Sequence, residues 1–146
     1  MAEEKMTLTG NQLMQLFSQE KERLGQINSR IITFQNMKNE LMSTKKSLEE
    51  ISKSKKGSKI MLPLGAGIYI EALTEDNEKA ISTISNNVFR AKKIEDILKL
   101  IEKRSANIDR ALEQNGEDQA KVISRANQLE NIMAAGRQAL KNQNKQ

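Results

Sequence analysis

Residues 59–73 read KIMLPLGAGIYIEAL and interrupt a chain that otherwise has the spacing of charged helices. This stretch contains the only proline of the sequence, Pro63, followed by two glycines that enclose one alanine. Its apolar residues, many of them β-branched, recur with a period of two, whereas the flanking segments repeat every seven residues. The sequence therefore predicts a small β region inserted between two helices.

Four short runs in this region have strand character, at 59–64, 67–73, 79–84 and 88–91. Glycines at 65 and 67 suit a tight hairpin turn, and asparagines at 86 and 87 tolerate positive φ in a second turn. Two hairpins alone form a marginal sheet with open edges, and apolar edges invite pairing with other chains. We therefore expect an assembly surface here, bearing Ile60, Leu62, Ile68, Ile70 and Ile81.

The two flanking segments follow heptads. In the first, one core position falls on Leu13, Glu20, Ile27, Phe34, Leu41 and Leu48, and the other on Phe17, Leu24 and Ile31, then on Lys38, Lys45 and Ser52. Because the last three of these positions are polar, with Met37, Met42 and Ile51 beside the seam, we expect the apolar stripe to drift or the packing partner to change there. The second segment repeats from Ile94 to Leu140 with Asn115, Gly116 and Gln119 as a weak spot.

These patterns predict a mainly α protein with a small β head. The predicted fold is a long antiparallel coiled-coil hairpin with two β-hairpins between the helices. We place one helix at about 9–55, capped by Thr7 or Thr9, the hairpins at about 58–91 and the second helix at about 92–142. All of these elements form a single predicted domain over residues 1–146.

Apolar residues widen the predicted seam where the two chain ends would meet. An ordinary coiled-coil end or a dimer contact would explain this pattern. The alternative is a half-exposed, methionine-containing surface that adapts to varied partners. The residues are Leu13, Met14, Leu16, Phe17, Ile132, Met133 and Leu140.

Composition argues against several classes of function. The chain has a net charge of +5, 29% charged residues and 3% aromatic residues, so positive charge is diluted and stacking groups are scarce. We therefore do not expect a nucleic-acid surface. Histidine and cysteine are both absent, which removes the commonest metal ligands and catalytic nucleophiles. We predict no enzyme activity, no metal and no cofactor.

The sequence also bears on location. No apolar run approaches the length that a bilayer span requires, and the first residues have no long apolar core of a signal peptide. We therefore expect a cytoplasmic protein without a membrane partner.

The stretch MLPLGAGIYIEAL at 61–73, a second hairpin and then KKIEDILKLIEKR at 92–104 resemble the archaeal prefoldin alpha subunit family. The resemblance implies a chaperone subunit in a hexamer of two alpha and four beta subunits, with a double β-barrel body and six coiled coils. It further implies that the coiled-coil tips capture non-native polypeptides without ATP and deliver them to a group II chaperonin.

Carried over by position, the resemblance assigns client binding to the seven residues of the widened seam end. It assigns barrel formation to Ile60, Leu62, Pro63, Leu64, Gly65, Gly67, Ile68 and Ile70. The second hairpin departs from the family, because it turns through residues 84–87 (ISNN) where a glycine-rich turn is usual. The alternative function is a structural scaffold that assembles through its β head into a homo-oligomer or filament.

Overall fold

The computed structural model describes residues 8–145, and in this part of the chain two long helices flank two β-hairpins. The prediction of a mainly α chain with two hairpins between two helices is confirmed, and no element boundary differs from the predicted one by more than two residues. The elements are α1 (Gly10–Lys53), β1 (Lys59–Gly65), β2 (Ile68–Leu73), β3 (Lys79–Ser85), β4 (Val88–Lys93) and α2 (Ile94–Gln143).

The chain divides into two compact units. The first, called the terminal unit here, contains the described residues up to Gln35 and from Arg110 onward. The second, called the hairpin unit, is Asn36–Asp109 and holds the ends of both helices that adjoin the strands. In each unit α1 and α2 pair through cross-helix polar contacts.

In the hairpin unit, two lysines occupy heptad core positions of α1. Lys38 pairs with Asp109, and Lys45 Nζ lies 3.3 Å from Glu102 Oε1. From the first pair to the second, the position moves seven residues forward along α1 and seven residues back along α2. The two helices therefore run antiparallel. The seam therefore keeps its predicted positions as far as Leu48, and the expected drift occurs only beyond it, where Ile51 rather than Ser52 is half-buried. Lysine stems lie along the seam while their ammonium groups reach carboxylates at its edge.

In the terminal unit, polar contacts also cross between the helices. Gln119 Nε2 donates to Asn28 Oδ1 at 2.7 Å, and Arg125 Nη1 lies 3.9 Å from Glu20 Oε1. Asn115 is buried in the seam and donates from Nδ2 to the Ala111 carbonyl at 2.7 Å. Polar groups in a coiled-coil seam favour one register over others. α2 continues through this predicted weak spot without a break.

Burial follows the predicted heptads closely. Every α1 residue between Leu13 and Leu48 that is not exposed stands at a predicted core position. In α2, every predicted core position from Ile94 to Met133 is buried or half-buried, but Gly136 and Leu140 are exposed, so the seam ends earlier than predicted. Among the described residues, the buried apolar side chains are Ile27, Ile94, Ile101, Ile108 and Val122.

We predict that Ile101→Ala lowers the free energy of unfolding by about 2–5 kcal/mol, because Ile101 is only 5% exposed and its loss leaves a cavity. Urea denaturation followed by circular dichroism measures this change. Met42→Ala in the same unit is the matched control, since Met42 is 52% exposed. Equal midpoints for the two variants would contradict the assigned seam.

Each hairpin is a separate two-stranded antiparallel sheet among the described residues. The first turn has positive φ at Ala66 (50°) and Gly67 (76°), as a two-residue hairpin turn with the twist of the strands requires. Gly65 belongs to β1 rather than to the turn, and the pairing shifts between Pro63 and Gly65. In the second hairpin Asn87 has the positive φ (62°).

Backbone hydrogen bonds join the hairpins to the helices. Thr74, buried between the hairpins, exchanges hydrogen bonds with the loop between α1 and β1: its carbonyl accepts from Gly57 N at 2.7 Å, and its amide donates to Ser58 O at 2.9 Å. α2 begins at Ile94, directly after β4, and Ile94 N donates to Glu78 O at 2.8 Å. This junction holds both hairpins against the helix ends.

Candidate functional site

The terminal unit carries an apolar surface, which we call the end patch. Its members are the seven residues Leu13, Met14, Leu16, Phe17, Ile132, Met133 and Leu140. Leu13, Phe17 and Met133 are half-buried in the seam. The other four lie outside it and are exposed: Met14 by 65%, Leu16 by 37%, Ile132 by 53% and Leu140 by 63%.

The antiparallel register brings most of the end patch together. Glu20 of α1 contacts Arg125 of α2. Leu13 precedes Glu20 by seven residues and Ile132 follows Arg125 by seven, so in the antiparallel pair Leu13 lies level with Ile132. Leu140 lies about two turns further along α2, because a helix has 3.6 residues per turn, and it is separate from the core of the patch. In contrast Val122, deeper in the same unit, is 1% exposed. The patch is therefore apolar surface that the paired helices leave uncovered.

A capping box orders the α1 side of this patch. Thr9 N donates to Gln12 Oε1 at 2.8 Å, and Gln12 N donates to Thr9 Oγ1 at 3.3 Å. Of the two predicted caps, Thr9 is confirmed, and Thr7 lies outside the described residues. Leu8, 39% exposed, precedes the cap and extends the apolar surface. The sequence analysis missed Leu8, although a hydrophobic residue before a cap is a recognised signal.

We predict that Thr9→Ala frays the first turn of α1, because it removes one reciprocal bond of the capping box. The cost is about 1 kcal/mol, which corresponds to about fivefold faster amide exchange in residues 11–14. Hydrogen exchange measured by NMR reads this out residue by residue. Thr44→Ala, an exposed mid-helix change, should leave exchange in that turn unaltered. Equal exchange in both variants would argue against the cap.

The first hairpin, β1–β2, presents apolar residues on both faces. Leu62 stands opposite Ile70 on one face, and they are 42% and 46% exposed. Pro63 stands opposite Tyr69 on the other face, which also bears Met61. A strand that is apolar on both sides is typical of a sheet whose two faces are covered. Of the predicted assembly residues, Ile60 alone is half-buried within the chain, and Leu64, Gly65, Gly67 and Ile68 are exposed.

Several exposed apolar side chains of the hairpins were not selected from the sequence. In the first hairpin they are Met61, Tyr69 and Leu73, and in the second Ile84, Val88 and Phe89. Ile81, which was selected, is 75% exposed. Met61, Tyr69 and Leu73 lie on the face opposite Leu62 and Ile70, and period-two alternation marks only one face of a strand. Phe89 instead shares the face of Ile81.

The chemistry of the described residues is sparse. Residues 8–145 contain no group of acidic side chains able to hold a metal ion, and no helix among them is long and apolar enough to cross a membrane. Asp76 Oδ1 accepts from the backbone N–H groups of Glu78 (2.8 Å) and Lys79 (3.3 Å). These hydrogen bonds, chiefly the one from the Glu78 N–H group, lower the pKa of the Asp76 carboxyl group. The two hydrogen bonds therefore weaken only as the pH falls through that lowered pKa.

Two long helices around a pair of β-hairpins, with exposed apolar surface on each, define a coiled-coil protein with an inserted β module. The prefoldin subunit family model matches residues 20–139, and the chain belongs to this family. The resemblance found in the sequence is confirmed, and family membership supports a chaperone-like role.

Relatives named as alpha subunits share part of the sequence. The prefoldin subunit alpha of Thermofilum pendens is 27% identical over 84 residues, which cover 58% of this chain and 65% of that protein. The match thus spans slightly less than two thirds of that relative. Prefoldin subunit alpha 1 of Methanocaldococcus jannaschii is 25% identical over 105 residues, covering 72% of this chain and 70% of that protein.

A solved structure has the same fold. The electron cryo-microscopy structure of filamentous PFD from Methanocaldococcus jannaschii superimposes with a TM-score of 0.64, covering 86% of this chain and 98% of that one. Its sequence is 15% identical, so the likeness concerns the fold alone.

Proposed function

We propose that this chain is a subunit of an ATP-independent chaperone that captures non-native polypeptides on the end patch. The observation that supports this most directly is the set of exposed apolar side chains in the terminal unit of a prefoldin family member. Soluble proteins rarely leave contiguous apolar surface uncovered unless something binds there. Non-native clients expose apolar segments that the native state buries, and these are the matching partners.

The composition of the end patch suits clients of many sequences. Met14 and Met133 are unbranched and flexible, so they adapt to side chains of different shape. A single patch of this size binds weakly, because each contact is small and the client loses entropy on binding. Several patches around one assembly gain affinity from effective concentration without any new contact. The proposed activity therefore depends on oligomerisation.

The first hairpin is the proposed assembly surface, together with Ile81 of the second. We propose that the partners are prefoldin beta subunits and that the product is a hexamer of two alpha and four beta subunits. The exposed apolar residues on both faces of β1–β2 support this, because a partner strand must cover them to remove apolar area from water. Release of the client to a group II chaperonin in the cytoplasm completes the proposed role, and no enzymatic reaction is proposed.

Co-expression with candidate beta subunits tests this proposal. Native mass spectrometry should detect a hexamer, and the purified hexamer should suppress aggregation of a chemically denatured client, measured by light scattering without nucleotide. The chain alone, at the same subunit concentration, is the control for assembly. A well-formed hexamer that does not slow aggregation would contradict the chaperone assignment.

A structural scaffold is the second candidate. The relative in the solved structure from Methanocaldococcus jannaschii is described as filamentous, and exposed strand edges would support filament growth by this chain as well. Sedimentation of the purified chain alone separates the candidates. A scaffold grows into long polymers without any partner, whereas the proposed alpha subunit reaches a defined size only with beta subunits.

A further inference from the structure

Three cationic side chains border the end patch. Lys21 Nζ lies 4.7 Å from the centre of the Phe17 ring, on the α1 side of the patch. On α2, Arg137 Nε donates to the Met133 carbonyl at 3.4 Å, so this side chain lies back along the helix toward the patch. Lys141 follows Arg137 by four residues and therefore lies on the same helix face. The patch thus has positive charge beside it on both helices.

These cations lie at the two ends of the patch. Lys21 and Arg137 each follow a heptad core position by one residue, and such positions line one side of an antiparallel helix pair. In the register set by the Glu20–Arg125 contact, Lys21 is level with residue 124. From there to Arg137 the distance along the pair is about 20 Å, at about 1.5 Å per residue. An extended polypeptide of about six residues spans this distance.

Little negative charge opposes these cations. None of the ion pairs within residues 8–145 involves Lys21, Arg137 or Lys141. Residues 131–146 contain no acidic residue. Glu130 is exposed, and it lies on the same side of the pair as Arg137 because it also follows a core position by one residue. One carboxylate offsets one of three positive charges, so the border of the patch keeps a net positive charge.

The stability of the helices explains only part of this arrangement. The helix macrodipole favours Lys141, which lies in the last turn of α2. Arg137 lies more than one turn further in, and two like charges four residues apart disfavour a helix. On α1, the neighbouring carboxylate of Glu20 contacts Arg125 rather than Lys21. The cations beside the patch are therefore available to a ligand of opposite charge.

We propose that the end patch prefers client segments in which acidic residues flank a short apolar run. The apolar run would cover Met14 and Ile132, and the flanking carboxylates would pair with the cations at either end. A segment with basic flanks would meet like charge at the same places, and such repulsion discriminates between ligands. This inference rests on the proposed function and adds the class of client segment. The residues that set the preference are Lys21, Arg137 and Lys141.

Two synthetic peptides test this preference. Both contain the same apolar run of about six residues, flanked by glutamates in one peptide and by lysines in the other. Titration of each peptide into the full chain labelled with ¹⁵N, followed by NMR chemical shifts, measures both affinities and locates the site. We expect shifts in residues 8–21 and 129–141, and at least about fivefold tighter binding of the glutamate-flanked peptide. The difference should shrink from about 50 to about 500 mM NaCl.

Neutralising the border should remove the preference without removing the patch. Glutamine is a good helix former, so the helices should persist, and the NMR spectrum of the free variant verifies this. The variant should bind the two peptides with nearly equal affinity, because the apolar contacts remain while the charges are lost. The substitutions are Lys21→Gln, Arg137→Gln and Lys141→Gln.

The matched control lowers the net charge equally at exposed helical sites away from the patch. It should retain the preference for the glutamate-flanked peptide, and its substitutions are Lys46→Gln, Lys103→Gln and Arg110→Gln. Equal affinities of the unmodified chain for both peptides, or equal preferences of the two variants, would overturn the inference and leave the proposed client site standing. Chemical shifts that map outside the end patch for both peptides would overturn the client site and the inference together.

Discussion

A chain with glutamine at the four exposed positions of the end patch is expected to lose suppression of client aggregation while it still assembles. Glutamine is a good helix former, so the helices should persist while the apolar surface is removed. If each side chain contributes about 1 kcal/mol by partial burial against a client, the affinity of one patch falls by roughly a thousandfold. The substitutions are Met14→Gln, Leu16→Gln, Ile132→Gln and Leu140→Gln.

The chain offers a close control for this experiment. Four other exposed apolar side chains lie on the same two helices outside the end patch, namely Ile32, Met37, Met42 and Ile123. Their replacement by glutamine removes a similar apolar area and should leave suppression intact. Light scattering with denatured client gives the activity, and size-exclusion chromatography verifies the hexamer. If both variants are active, client binding does not reside in the end patch.

Leu62→Thr combined with Ile70→Thr is expected to prevent assembly. The two residues stand opposite each other on one face of the first hairpin and are exposed in the free chain. Threonine retains strand propensity, so the hairpin should still form. If a partner buries these side chains, their loss removes about 1.5 kcal/mol or more for each, which corresponds to at least roughly a hundredfold weaker association.

Analytical ultracentrifugation of the chain mixed with beta subunits measures this loss. Ile32→Thr combined with Ile123→Thr makes the same chemical change at exposed helical sites and should leave the hexamer intact. A variant hexamer as stable as the unmodified one would place the assembly surface elsewhere. Client suppression should fall together with assembly in the Leu62 and Ile70 variant, because isolated patches bind weakly.

Much of the architecture was predictable because it depends on local periodicity. The heptads of α1 identified its half-buried residues from Leu13 to Leu48, including the polar positions Glu20, Lys38 and Lys45. A heptad specifies which side of a helix faces its partner, whatever residue occupies the site. The apolar stripe does not drift at Lys38, because Asp109 of α2 supplies the opposite charge. The periodicity of α1 carries no information about that partner.

The turns and surfaces were less predictable. Residues 65–67 were expected to form the first turn, but Gly65 belongs to β1 and the pairing shifts beside it. The register between the strands determines that division, and it involves both strands together. Likewise the exposure of Phe89 and Tyr69 depends on which faces the fold leaves uncovered. Apolar character in a sequence does not distinguish a buried residue from one that awaits a partner.

By itself, the sequence determined the helices, the β insertion and the helix faces that meet, because these follow from the spacing of residues along one chain. The tertiary structure alone decided which side chains remain uncovered at the end patch and which carboxylates meet the seam lysines. These properties depend on distances between residues remote in sequence, and only the folded chain sets those distances.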